Sequence, residues 1–510
     1  MQTQKLFTHR FVALAASSAL LIAAPILLRA QPQGQQQNNK DIPLSQVERK
    51  NRAPVSKDIL KVTLPKPTET TLPNGLTVLI LEDHKLPEVT VQLQITGAGS
   101  LYEPATMPGL ASITAQMLTQ GTATRSSQQI AEQISRSGAS LNAFAPFGSS
   151  GASVSASGLS DNFERWFAIT TDVLLHPAFS ADELAKLKAR QKAGLKSQRT
   201  QPGFLATERF NRAVYGNFPA AVTSPTDASL DAMTSADLTR WHHERYAPQN
   251  AILAIAGDVN ATALVPQLTK WLADWHKSDA AEPNAGTPSP VAAKKIFLVD
   301  RPGSVQTTIA MGNIAIDRRD PDYPAMVVLN QIFGSGPQSR LFLNLRENKG
   351  YTYGVYSSFT ALKYAGPWRA GGDVRTDVTG GAMTEFVNEL NRIRAEKVSA
   401  TELDDAHHSV VASFALSLET PAQLVNYAIV RKLYGFPADY WDTYPAKIMA
   451  VTADDVQRVA QKYINPETMQ VVAVGDASKI KSVMEKYGAV EMYGGDGKPA
   501  AAATAAPGSR

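Results

Sequence analysis

The amino-acid sequence predicts an α+β protein of two homologous halves, each an antiparallel-rich sheet flanked by helices. Three observations carry that expectation. First, the two halves echo each other at one constant offset: Thr234, Asp237, Pro248, Gly257 and Asp258 correspond to Thr452, Asp455, Pro466, Gly475 and Asp476. In both copies a Thr-led helix start precedes a Pro and an apolar strand that closes on Gly-Asp. Second, tight-turn signals and alternating polarity mark antiparallel strands. Third, amphipathic helices are interleaved with those strands, in a pattern unlike that of a doubly wound parallel sheet. A repeat this long means domain duplication and not a solenoid.

The elements follow in order. Lys5 and Arg10 precede an apolar run from Phe11 to Leu28, with Ala30 as a cleavage point, so residues 1–30 read as an export leader. Residues 31–66 open on a Gln/Asn-rich stretch and read as a flexible tether. The N-terminal domain is expected at 67–275. In it Asn74-Gly75 is a hairpin turn, and Val89 to Thr96 alternates as a half-buried strand. Gly109 to Thr119 is helical. Ser126 with Gln129 forms a capping box for a helix ending near Ser137, and a long amphipathic helix covers Ala181 to Ser197. A Pro/Ala/Ser-rich linker at 276–293 leads to the C-terminal domain at 294–492. There Tyr434-Gly435 echoes Tyr215-Gly216, and the strand before Asp300 echoes the strand before Asp83. The tail at 493–510 is rich in Ala, Gly and Pro and is expected to be disordered.

Composition narrows the chemistry. The chain has 510 residues and no Cys, which removes disulfides, thiol catalysis, Cys-ligated zinc and lipoprotein anchoring. Without residues 1–30, which hold Lys5, Arg10 and Arg29 and no acid, the formal charge falls from +4 to +1 (50 − 3 = 47 basic against 46 acidic groups). A nearly neutral chain offers no electrostatic case for nucleic acid. A metal would need His and carboxylates. The adjacent pairs His242-His243 and His407-His408 point about 100° apart on a helix and do not chelate as i,i+4 pairs do. His242 and His243 therefore read as surface histidines before a Tyr-Ala-Pro turn.

A series of ordered motifs carries a family resemblance. Asn74-Gly75-Leu76, Gly99-Ser100-Leu101-Tyr102-Glu103, Gly109-Leu110-Ala111, Met117-Leu118, Gly121-Thr122, Arg125-Ser126 and Leu141-Asn142-Ala143 occur in that order. The chain resembles the insulinase/pitrilysin zinc peptidases, the inverzincins, and is most similar to their shorter bacterial and mitochondrial-processing-peptidase-like members. The resemblance runs from about Thr68 to Ala489 and includes the duplication. Active members carry His-x-x-Glu-His on the helix that here begins at Gly109. Two His at i and i+4 share a helix face and bind zinc, while the Glu activates a water. The matching positions here are Ser112, Ala115 and Gln116. The family's third ligand, a Glu, falls near Gln191 to Ala193, and no acid lies between Glu183 and Glu208. The resemblance therefore implies a degenerate zinc motif and no metal in this chain.

The second half keeps other family features. Gly334-Ser335-Gly336 precedes Ser339-Arg340-Leu341-Phe342, then Leu345-Arg346-Glu347 and Gly350-Tyr351-Thr352-Tyr353-Gly354. Leu341 to Lys349 reads as a helix stopped by Gly350, and Tyr351 to Ser358 as an alternating strand, so Arg346 and Tyr353 flank one helix-to-strand turn. By the resemblance, this Arg and Tyr contact substrate near the scissile carbonyl, and Asn142 and Gly334, Ser335 and Gly336 handle substrate. The expected role is that of the non-zinc, substrate-binding subunit of an exported, periplasmic, heteromeric zinc peptidase, tethered to the membrane if the leader is retained. Zinc is expected in a homologous partner subunit, with peptide as the shared substrate. The alternative is a structural assembly protein of the same fold. A self-sufficient peptidase with unusual ligands is a third reading.

Overall fold

The computed structural model describes residues 60–280 and 283–500. The leader expected at 1–30, most of the tether expected at 31–66 and the end of the expected tail, 501–510, lie outside the described residues.

In the first half, β1 (Thr68–Thr71) and β2 (Thr77–Glu82) form the Asn74-Gly75 hairpin, with Gly75 at φ +91° as such a turn requires. In β3 (Glu88–Thr96), Val89, Val91, Leu93 and Ile95 enter the core. Next come α1 (Leu110–Met117), α2 (Ser127–Arg136), β4 (Ser140–Phe144), β5 (Gly151–Leu159), α3 (Phe163–Leu175), α4 (Ala181–Gln198), α5 (Pro202–Tyr215), α6 (Asp227–Ala232), α7 (Ser235–Arg245), β6 (Ala251–Gly257) and α8 (Ala261–Trp271). Ser126 and Thr234 close capping boxes on α2 and α7. The sheet order is β1-β2-β6-β3-β5-β4, with β2–β6 its one parallel pair.

The second half contains β7 (Lys295–Asp300), β8 (Gln306–Ile316), α9 (Tyr323–Gly334), a π-helical turn (Phe342–Asn348), β9 (Thr352–Ala361), β10 (Ala365–Arg375), α10 (Thr379–Ala395), α11 (Ala400–Ser417), α12 (Pro421–Tyr434), α13 (Tyr444–Met449), α14 (Ala453–Tyr463), β11 (Gln470–Gly475), α15 (Ala477–Met484) and β12 (Val490–Tyr493). Thr452 caps α14 as Thr234 caps α7. The sheet order is β12-β7-β11-β8-β10-β9. Five strands match the first sheet in order and direction. The sixth differs: β1 joins its sheet antiparallel from the N-terminal side, and β12 joins parallel from the C-terminal side.

The register corrects one correspondence. Glu82 pairs with Gly257 as Asp300 pairs with Gly475, so the counterpart of Asp300 is Glu82 and not Asp83. Both carboxylates accept a backbone N–H at a helix start, Glu82 from Ala261 and Asp300 from Ala477. The two carboxylates occupy equivalent positions and do one job, and Asp83 lies one residue beyond.

The halves exchange helices. β6 and β11 are buried along their whole length. On one face each strand meets helices of its own half. On the other, Ile252, Ala254 and Ala256 of β6 pack against Val425, Ala428 and Ile429 of α12, from the second half. Val472 and Val474 of β11 pack against Leu205, Phe210 and Val214 of α5, from the first half. Two-sided burial explains why both strands read as unbroken apolar runs. The echoed Tyr-Gly pairs are the C-terminal ends of α5 and α12, the two exchanged helices.

The ends of the described region are more ordered than the sequence suggests. Val62 and Leu64, in the expected tether, pack on the second core, and the Leu64 N–H donates to Asp442 Oδ1 at 2.9 Å. Residues 494–500, expected to share the disorder of 493–510, turn back on β12: Gly494 N–H donates to the Lys498 carbonyl and Ala500 N–H to the Met492 carbonyl.

Candidate functional site

The first cluster lies where α1 meets α4. The helix starts at Gly109 (φ +96°), and the Glu103 carboxylate accepts from the Gly109 N–H at 2.8 Å and the Ala111 N–H at 3.1 Å. Burial raises the Glu103 carboxyl to about 7, outweighing the lowering by those N–H groups. Leu110, Ala111, Ile113, Ala115 and Met117 enter the core, leaving Ser112 and Gln116 half-buried, one turn apart on the same side. Gln116 Nε2 donates to Ser112 Oγ at 3.1 Å, and Gln116 Oε1 accepts from Gln191 Nε2 of α4 at 2.9 Å. Within the window from Gln191 to Ala193, the structure thus selects Gln191. The positions that the resemblance assigns to zinc ligands are brought together, and their side chains hold one another.

This donor set does not suit zinc. A hydroxyl and two amides provide no imidazole nitrogen and no charge, and their polar atoms are engaged with one another. Ala115, at the position of the general base, has no proton acceptor and is wholly buried. Among the described residues, no group of three or more His, Cys, Asp or Glu is placed to hold a metal ion. His242 is not a surface histidine: it hydrogen-bonds the Leu174 carbonyl at 2.8 Å and stacks on Tyr246, and burial lowers its pKa to about 4. Its neighbour His243 is exposed, as expected.

The second cluster is built on two irregularities. The segment bearing Arg346 is a π-helical turn, not the regular helix expected at Leu341 to Lys349, and Gly350 ends it at φ +62°. In β9, Val355 pairs with Gly372 and Thr352 with Val374, so Tyr353 and Gly354 together oppose Asp373. This bulge breaks the alternation expected for the strand. In a regular strand Tyr353 would share the inward face of buried Val355, and the extra residue turns it outward with Tyr356. The Thr352 hydroxyl ties the bulge down, accepting from the Gly354 N–H at 3.1 Å. Tyr353 is 85% exposed. The Arg346 guanidinium lies 4.8 Å from the Tyr353 ring and 4.7 Å from the Phe342 ring, between two aromatic faces.

The remaining positions stand apart from these clusters. Asn142 is exposed on β4, the edge strand of the first sheet. Gly334 ends α9, where a Cβ would lie 2.4 Å from the Ser357 backbone nitrogen, so close packing against β9 accounts for this glycine. The Ser335-Gly336 segment continues into a turn closed by Ser339 Oγ donating to the Gly336 carbonyl at 2.6 Å. Sequence reasoning missed Phe342, although its spacing four residues before Arg346 was a usable signal. It also missed the capping role of Glu103, which lay inside a quoted motif.

Comparison with known proteins agrees with this geometry. The model of the insulinase family, peptidase family M16, matches residues 77–223, and that of the peptidase M16 inactive domain matches residues 232–410. An uncharacterized zinc protease of Bacillus subtilis is 23% identical over 354 residues, covering 69% of this chain and 84% of its own. One from Mycobacterium tuberculosis is 25% identical over 403 residues, covering 78% and 91%. The crystal structure of a peptidase M16 inactive domain from Pseudomonas fluorescens superposes with a TM-score of 0.75 at 28% identity, covering 80% of this chain and 98% of that one. With two such halves, and with Ser112, Ala115, Gln116 and Gln191 where zinc chemistry would be, the chain belongs to the insulinase family as a member without the zinc motif.

Proposed function

We propose that this chain is the non-zinc, substrate-binding subunit of an exported heteromeric zinc metallopeptidase. The observation that carries the reading is the contrast between the two clusters. The zinc positions have closed on themselves, whereas a π turn and a bulge both serve to present Arg346 and Tyr353 to solvent. In this reading the zinc and the water it activates belong to a homologous partner subunit. Arg346 and Tyr353 reach the peptide from the opposite wall of a shared chamber. The Tyr353 O–H donates one hydrogen bond to the scissile carbonyl oxygen, and Arg346 adds a fixed positive charge. Both interactions strengthen as the carbonyl becomes an oxyanion. The relatives being named zinc proteases and a structural neighbour being named an inactive domain are in keeping with divided labour. The leader at residues 1–30 would deliver the subunit to the periplasm.

The test is co-expression with a homologue that carries His-x-x-Glu-His, followed by a peptide-cleavage assay with and without this chain. Cleavage is expected to need both. Equal cleavage by the zinc homologue alone would overturn the reading. An assembled complex indifferent to loss of both Arg346 and Tyr353 would leave the chain a scaffold.

A further inference from the structure

We propose that Asn344 is a positioning residue for Arg346: its amide, donating to two carboxylates of α10, holds the π turn in the form that presents the guanidinium. Only the kinetic arm of the test below rests on the function read for Arg346.

π-helical turns are rare and need support, because the widened turn gives up regular α-helical hydrogen bonding. Here the Lys349 N–H donates five residues back to the Asn344 carbonyl at 3.0 Å, and the Tyr351 N–H donates to the Leu345 carbonyl at 2.9 Å. Ties to two helices hold the segment. Before the turn, buried Arg340 makes a bidentate pair with Glu402 of α11, at 2.7 and 3.1 Å. Inside the turn, Asn344 Nδ2 donates to Glu385 Oε2 at 3.0 Å and to Glu389 Oε1 at 2.8 Å, which uses both amide protons. Glu385 and Glu389 stand at i and i+4 on α10, a repulsive spacing for like charges, and Glu389 is buried. Lys349 approaches Glu385 at 3.4 Å and Arg392 approaches Glu389 at 3.5 Å. A neutral residue with two protons on one nitrogen gives each carboxylate a donor, at one oxygen apiece. An Asp there would bring a third negative charge, and an apolar residue would leave two carboxylates short of a donor.

Arg346 has no comparable anchor. Its contacts are the Phe342 and Tyr353 rings and a 3.5 Å approach to its neighbour Glu347. The guanidinium therefore inherits its place from the turn, and the turn is fastened two residues earlier, at Asn344.

Amide hydrogen exchange on the purified chain tests the fastening directly. Asn344→Asp is expected to speed exchange at Lys349 and Tyr351 by about tenfold, the worth of roughly one charge-assisted hydrogen bond. Adding Glu389→Gln reverses the donor and the acceptor and is expected to return exchange to within about threefold of wild type. In the assembled complex Asn344→Asp is expected to lower kcat by about tenfold with KM nearly unchanged, and the double variant to recover it. Wild-type exchange rates in Asn344→Asp would overturn the proposal, as would failure of Glu389→Gln to rescue. If Asn344→Asp does not fold, Asn344→Ser, which keeps one donor, is expected to show an intermediate rise, and its absence is equally fatal. Exchange that responds and is rescued while kcat stays put upholds the fastening and removes Arg346 from the chemistry, so the two failures are distinguishable.

Discussion

The two halves share a fold and treat their polar groups in opposite ways. At the α1–α4 contact, Ser112, Gln116 and Gln191 hold one another. At the start of β9, Tyr353 points into solvent and Arg346 is held mainly by two aromatic faces, so their hydrogen-bonding capacity remains open. Polar residues that complete each other are finished as structure. Polar residues held in place by irregular backbone and left short of partners keep donors free, which is what the proposed substrate contact requires. One duplicated scaffold has thus closed one site and kept the other open.

The largest effect is expected where the halves depend on each other. Phe210 of α5 is buried under the second sheet, with the Arg369 guanidinium 5.4 Å from its ring. Phe210→Ala should cost about 3–5 kcal/mol in denaturant unfolding, with both halves lost in one transition. Two separated transitions would break the comparison by showing that the halves stand alone. Next is Tyr353→Phe, which should lower kcat of the assembled complex about a hundredfold, or roughly 3 kcal/mol. Stability should stay within about 0.5 kcal/mol, because the side chain is exposed.

The closed site can be reopened. Ser112→His, Gln116→His and Gln191→Glu together should retain one equivalent of zinc through dialysis, because the Gln116–Gln191 contact shows these positions already meet. At zinc about a hundredfold above Kd, the variant should gain about 2.7 kcal/mol. Restoring His, Glu and His at 112, 115 and 116 alone should not retain metal. Zinc held equally well by that version would show that position 191 is not the third ligand.

The last effect, expected at the cap of α1, depends on pH. The Glu103 carboxyl is raised from 4.5 to about 7, so folding favours its protonated form. That contribution is present in full below pH 4.5 and is lost as pH rises from about 4.5 to about 7, by about 3 kcal/mol. Urea titrations across this range should show the decline in wild type and a flatter profile in Glu103→Gln. An identical slope in both would assign the pH dependence elsewhere.

What could be read from the sequence follows the range of the interactions. The capping boxes at Ser126, Thr234 and Thr452 are contained within four residues and were legible. The duplication was legible because two-sided burial writes β6 and β11 as apolar runs. The missing zinc ligands at 112 and 116 and the missing base at 115 needed only helical spacing. Gln191 could be placed only to within a few residues, since its approach to Gln116 depends on how α4 is rotated against α1. The bulge at Tyr353 was not legible, because it appears only when residues are counted against β10. Nor was the π turn, whose ties to α10 and α11 come from Glu385, Glu389 and Glu402, far along the chain.

The exchange of α5 and α12 also has a consequence in time. During synthesis β6 is complete roughly 180 residues before α12 has emerged. At about 5–20 residues per second, the face of Leu79, Leu81, Ile252, Ala254 and Ala256 waits on the order of 10–40 s for its cover. Throughout that interval the nascent first half presents a greasy, unfinished sheet. The connectivity thus makes the first half depend, for one face of its sheet, on a helix synthesised long after it.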